Sequence, residues 1–249
     1  MTVLVTVPYF GCPDLVEKAV RSILAQTERD IAVLVIGDGE APPVRIRDNR
    51  LEVVTLRENR GPYYCQQVAL TANPFGWYTP VGADDYLAPD HIERLLAVGS
   101  DLVLTGAVWF HPMAGAVSIH RGNYEVGLFR NERMLAIGGH NSTERVGQDS
   151  LLIHLLKLVY PDVRATDRPT YHRVKRAGSL MTSPLTGKGT PYRNDVRRRN
   201  RLVYAECGRL RDIAAIRRYR DSLVPSWMWD QVARDAGLVA ERLGPAVAA

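Results

Sequence analysis

Five short apolar runs recur through the first part of the chain: TVLVTV (2–7), IAVLVI (31–36), LEVVTL (51–56), GWYTPV (76–81) and DLVLTGAV (101–108). Each is of strand length and rich in Val, Leu, Ile or Thr. Between the first two, Leu15, Val16, Ala19, Val20, Ile23 and Leu24 fall on one helical face, with Pro13 and Asp14 as a start signal. A second helix is expected over PYYCQQVALTAN after the third run. A third is expected over PDHIERLLAVG after the fourth, with Ile92, Leu95 and Leu96 inward and Gly99 closing it. Strands alternating with helices in this way predict an α/β fold, a mostly parallel sheet covered by helices on both faces.

In such sheets ligands bind at the carboxyl ends of the strands. Polar residues gather at four of those ends: Pro8 and Tyr9 after the first run, Asp38 after the second, Arg60 and Gly61 after the third, and Asp84 with Asp85 after the fourth. Two adjacent carboxylates repel one another and resist desolvation, so their place at a strand end points to a cation or a polar ligand. A solvated loop is the plainer explanation for either one alone.

The remaining composition excludes several classes. No apolar stretch approaches the roughly 20 residues of a membrane-spanning helix, and the opening MTVLVTVPYF lacks a basic leader, so a soluble, cytoplasmic protein is expected. Cys12, Cys65 and Cys207 are scattered singly, which suits reduced thiols rather than disulfides or zinc. There is no G-x-G-x-x-G after the first run, no G-x-x-x-x-G-K-[ST] and no G-x-S-x-G, which disfavours a nicotinamide dehydrogenase, a P-loop ATPase and a serine hydrolase. The net charge of +5 is concentrated between Arg193 and Arg220. That stretch is suited to an anionic surface, and equally to a solvated helical face.

Farther along, GNYEVGLFRNERMLAIGGH reads as a hairpin-like return with a short helix. DSLLIHLLKLVYP (149–161) reads as a buried helix with Asp149 at its N-cap. A linker is expected from about residue 186, followed by two or three helices, the last carrying Trp227 and Trp229.

Taken together, the segments VLVTVPYFGCPDLVEKAVRSILAQTERDIAVLVIGDGE, ENRGPYYCQQVAL and WYTPVGADDYLAPDHIERL resemble the N-terminal half of the family 2 glycosyltransferases of the GT-A fold. LFRNERMLAIGGHNSTERVGQDSLLIHLLK and RPTYHRVKRAGSLMTS are similar to the segments that follow, so the resemblance reaches about residue 183. It implies a GT-A domain over 1–185 and leaves 186–249 as a basic helical C-terminal extension without a counterpart.

The resemblance also implies roles. Pro8 and Tyr9 would line a nucleotide pocket, Asp38 would accept a hydrogen bond from the base, and Arg60 would lie near the base or diphosphate. Asp84 matches the acidic residue that binds a divalent metal, Mn²⁺ or Mg²⁺, with Asp85 and His172 as further candidate ligands. Gly82 stands where many relatives carry the first carboxylate of the motif. Asp149 matches the general base, with Gln148 where Glu is common, and Arg173, Lys175 or Arg176 would hold the diphosphate. The expected activity is metal-dependent, inverting transfer of a sugar from a nucleoside diphosphate sugar to a hydroxyl of an unidentified acceptor. A GT-A-like module that binds nucleotide sugar without catalysis and a sugar nucleotidyltransferase are the alternatives. The extension is open to an oligomer contact, to cover of the sheet's edge, or to an anionic partner.

Overall fold

The computed structural model describes residues 1–111, 116–120, 126–140 and 143–244. The chain opens with β1 (Val3–Tyr9), α1 (Pro13–Leu24), β2 (Ile31–Asp38), β3 (Leu51–Leu56), α2 (Pro62–Ala72) and β4 (Trp77–Pro80). It continues with β5 (Tyr86–Leu87), α3 (His91–Ala97), β6 (Leu102–Leu104), β7 (Ala107–His111), β8 (Ala116–His120), β9 (Gly127–Arg130) and α4 (Asn131–Ala136). Then come α5 (Gln148–Val159), β10 (Arg164–Ala165), β11 (Tyr171–Val174), α6 (Pro191–Leu210), α7 (Ile213–Ser222) and α8 (Ser226–Leu243).

Seven strands form the main sheet in the order β10-β6-β9-β4-β1-β2-β3, with β9 antiparallel to both neighbours and the other pairings parallel. The alternation of side chains along a strand explains its two covered faces. In β1 and β2, Val3, Val5, Val7, Ile31, Val33 and Val35 pack with α1 and α3, whereas Leu4, Ala32, Leu34 and Ile36 share the opposite core with α2 and α5. The expected strand over 101–108 divides: β6 stays in the main sheet, and β7 joins a second, four-stranded sheet in the order β5-β11-β7-β8. This second sheet brings β11 against the turn after β4, where the paired aspartates lie. The quoted hairpin return falls partly on 122–125, outside the described residues.

The C-terminal helices are integral to one face of the sheet. Met228, Val232, Ala236, Val239 and Leu243 form a helical stripe on α8 that shares the core with α2 and α5, and the Tyr64 hydroxyl donates to Asp235 at 2.5 Å. Much of the arginine cluster is committed within the chain. Arg199 pairs with Glu144 at 2.7 Å, Arg193 donates to the Thr186 carbonyl at 2.6 Å, and the guanidinium of Arg220 is buried. Arg220 donates to the carbonyls of Ile137 and Gly139, while Arg217 holds that of Leu135. These bonds fasten the loop after α4, which turns through Gly138 and Gly139 at φ 94° and 60°. Among the described residues no helix is long and apolar enough to cross a membrane.

Replacing Arg220 with Met would leave two carbonyls without their donor, and is expected to lower the unfolding free energy by about 2–4 kcal/mol. An unchanged urea midpoint would show that the clamp contributes nothing.

Candidate functional site

Parallel pairing in register brings the ends of β1, β2 and β4 to one edge, with Tyr9 opposite Gly37 and Thr6 opposite Pro80. Beyond β4 the chain turns instead of staying extended: Asp85 N–H donates to the Gly82 carbonyl at 3.0 Å. The turn resolves how neighbouring aspartates converge. A Cβ placed on Gly82 would lie 2.6 Å from Asp85 Oδ2 and 3.2 Å from Asp84 Oδ1, so both carboxylates fold over the glycine. A side chain at 82 would displace them.

The Tyr171 hydroxyl fastens this turn to β11, accepting from Gly82 N–H at 2.9 Å and donating to Asp85 Oδ2 at 2.8 Å. Asp85 Oδ1 accepts Val174 N–H at 2.9 Å. Burial, reinforced by Asp84, pushes the Asp85 carboxyl up to about 6 even so. Asp84 pairs with Arg176 at 2.8 Å. His172 stands one residue from Tyr171 on β11 and stacks on Tyr86, ring centroids 4.7 Å apart, with Lys18 Nζ 4.1 Å from the Tyr86 ring. Among the described residues no group of three or more His, Cys, Asp or Glu side chains is placed to hold a metal ion. The donor set of Asp84 and Asp85 is hard oxygen, which fits Mg²⁺ held by one or two carboxylates together with substrate phosphates.

Asp85 and Arg173 line a cleft of about 150 Å³ whose wall also takes in residues of α2, α4 and α5. Asp149 lies on that wall. The N-cap of α5 is Gly147, in the left-handed region at φ 75°, so Asp149 belongs to the first turn and does not cap the helix. Its Oδ1 accepts the Tyr63 hydroxyl at 2.8 Å and Ser150 N–H at 2.9 Å. Tyr63 reaches it because Gly61, at φ 97°, starts α2 at the sheet's edge.

The other expected nucleotide contacts lie outside this cleft. Asp38 is only 3% exposed, and its two oxygens accept the backbone N–H groups of Arg60 at 2.7 Å and Gly61 at 2.8 Å. Burial raises its carboxyl above the usual range against those bonds. Pro8 ends β1 beside Tyr9, whose hydroxyl donates to Glu40 at 3.1 Å; burial and Glu40 push that phenol up to about 12. Arg60 pairs with Glu58 at 2.8 Å and stacks over Tyr64 and Trp227 at 5.5 and 5.1 Å, in a second groove lined by Gln231, Arg234 and Asp235. Tyr63 lines the cleft, whereas Tyr64 and Trp77 are core.

Sequence reasoning missed His140 and Gln66, which also line the cleft. Gln66 follows Tyr63 by three residues, which puts both on one face of α2 and was the available signal. His140 is 3% exposed, stacks on Tyr63 at 6.0 Å, and is pushed down to about 3 by burial.

The strand order and the helices on both faces of the sheet define a GT-A-like α/β fold. Solved structures of S. aureus TarS share it. The structure of TarS 1-349 superposes with a TM-score of 0.59 at 16% identity over 88% of this chain and 71% of that one. The same protein in complex with UDP-GlcNAc gives 0.57 at 17% identity over 72% and 60%. In sequence, the succinoglycan biosynthesis protein ExoO of Rhizobium meliloti (strain 1021) is 28% identical over 92 residues, 35% of this chain. The match spans about a quarter (26%) of that relative, and 37% of a longer TarS chain. No known protein-family profile matches.

His91 is fully buried, with Nδ1 2.8 Å from Thr170 Oγ1, and burial pushes its ring down to about 3. An unfolded histidine takes its proton near pH 6.5, whereas the folded ring refuses it until about pH 3. The stability present above pH ~6.5 is therefore lost as pH falls, at about 1.4 kcal/mol per unit for each such ring. Asp85 acts oppositely, with stability that fades as pH rises from about 4 to about 6. In His91→Gln the loss of unfolding free energy between pH ~6.5 and ~5 should shrink by about 1.5 kcal/mol relative to wild type. Parallel pH profiles for the two proteins would refute the assignment.

Proposed function

We propose that the protein is a family 2, inverting glycosyltransferase that moves a sugar from a nucleoside diphosphate sugar to an acceptor hydroxyl. One observation carries this reading: Asp149 lines the same cleft as Asp85 of the carboxylate turn beyond β4, in a GT-A-like fold. TarS, seen with UDP and with UDP-GlcNAc, supports a nucleotide-sugar donor.

In direct displacement the nucleophile and leaving group occupy opposite sides of the anomeric carbon. Asp149 takes the proton of the acceptor hydroxyl as its oxygen bonds to that carbon. The bond to the diphosphate oxygen breaks on the other side, and the configuration inverts. Tyr63 and Ser150 N–H hold the Asp149 carboxylate in place for this step. Arg173, which lines the cleft, and Arg176, on Asp84, face the developing charge of the diphosphate. Asp84 and Asp85 would hold Mg²⁺ or Mn²⁺. A bound divalent ion offsets the negative charge of the departing nucleoside diphosphate.

Asp149→Asn is expected to lower nucleoside diphosphate release in the presence of acceptor by about 10²–10⁴-fold while leaving donor affinity within a few-fold. Wild-type turnover in that variant would remove Asp149 from the chemistry. A thermal-shift screen of UDP, GDP, dTDP, CDP and ADP, with and without Mg²⁺ or Mn²⁺, tests the donor side. One diphosphate should stabilise the protein with metal, and Asp84→Ala should abolish the metal's contribution. Binding without turnover for every donor would favour the non-catalytic module instead.

A further inference from the structure

Two side chains on the cleft wall are left with unmet polar atoms. Gln66 Oε1 and both ring nitrogens of His140 are buried and have no hydrogen-bond partner. Buried polar atoms are nearly always satisfied, and each one left open costs about 1–3 kcal/mol. The neighbouring polar groups of the same cleft are satisfied: Tyr63 donates to Asp149, and Asp85 accepts from Tyr171 and Val174. Phe129, Met134, Leu152 and Ile153 complete the lining with apolar surface. A small apolar cleft with a few convergent polar groups is the usual form of an orienting subsite.

The fold holds His140 in place at a cost. Gly139 turns through the left-handed region at φ 60°, which disfavours a side chain there, and Arg220 donates to its carbonyl at 2.9 Å. The ring is flattened against Tyr63 at an interplanar angle of 18°. A neutral imidazole offers one donor and one acceptor, and a carboxamide offers both as well. Hydroxyl groups, which also donate and accept, are their natural complement, whereas Arg173 of the same cleft suits an anionic group.

In the proposed displacement, the transferred sugar must lie between the base that serves the nucleophile and the turn that serves the leaving diphosphate. Asp149 and Asp85, the groups assigned to those two roles, line one cleft, and Gln66 and His140 line it with them. We propose that Gln66 and His140 bind hydroxyl groups of the transferred sugar and so select which sugar the donor carries. This inference rests on the glycosyltransferase reading above.

The test separates the two. Calorimetric titration of the full chain with UDP, UDP-glucose, UDP-galactose, UDP-GlcNAc, GDP and GDP-mannose gives the affinity for the nucleotide and the discrimination among sugars. His140→Phe and Gln66→Leu should each leave the affinity for the free diphosphate within about threefold and reduce the discrimination between the best and worst sugar about tenfold, the equivalent of ~1.4 kcal/mol. Unchanged discrimination with intact diphosphate binding would overturn the proposal alone, as would a wild-type protein that does not discriminate among sugars. Failure of the wild-type protein to bind any of these nucleotides would overturn the glycosyltransferase reading and this inference with it. If either variant fails to fold, ¹⁵N spectra of the wild-type imidazoles decide: the His140 ring nitrogens should shift with the preferred sugar nucleotide and not with its diphosphate, and equal spectra would refute the contact.

Discussion

The carboxylate of Asp38 is buried at the end of β2, and a buried charge survives only when its oxygens are bonded. It is met by two backbone N–H groups, those of Arg60 and Gly61, at the N-terminal end of α2. A helix N-terminus presents unpaired N–H groups and a partial positive charge, so the pairing suits both sides. Much of the candidate site depends on this join. It fixes where α2 leaves the sheet's edge, and α2 carries Tyr63 and Gln66 into the cleft while Tyr64, on its other side, bonds to Asp235 of α8.

A second dependency runs through Tyr171. Its hydroxyl bridges Gly82 and Asp85, so the short second sheet sets the conformation of a turn that belongs to the main one. That turn draws the carboxylates together over a glycine, an arrangement that repulsion between them opposes. Arg176 on Asp84 and Val174 N–H on Asp85 offset it. Burial and the neighbouring Asp84 nevertheless raise Asp85 against the bonds from Val174 and Tyr171, so the fold keeps one member of the pair reluctant to ionise.

The main sheet was legible because its strands are short, apolar and separated by periodic helices; β1, α1, β2, β3 and α2 fall where the pattern put them. The second sheet was not, because β5 and β11 have two and four residues and gain their pairing only from distant chain. Asp149 and Asp85 were legible as residues, but not the turn that gathers Asp85 with Asp84, since local sequence gives no register between β11 and residue 82. The cap assigned to Asp149 belongs to Gly147, whose left-handed backbone starts the helix two residues earlier. Asp38 and Arg60 were read as ligand contacts, yet their geometry is dominated by neighbours in the chain. His140 carried no periodic signal, because its burial comes from a Gly-Gly turn and from arginines some eighty residues away.

That last separation bears on the order in which the molecule is made. A chain emerging from the ribosome can begin folding its first strands and helices as they appear. The loop that carries His140 gains its clamp only when Arg217 and Arg220 arrive with α7, and Tyr64 gains its partner only with α8. The cleft's walls thus exist before its shape does. The geometry of the cleft is therefore a late product of synthesis.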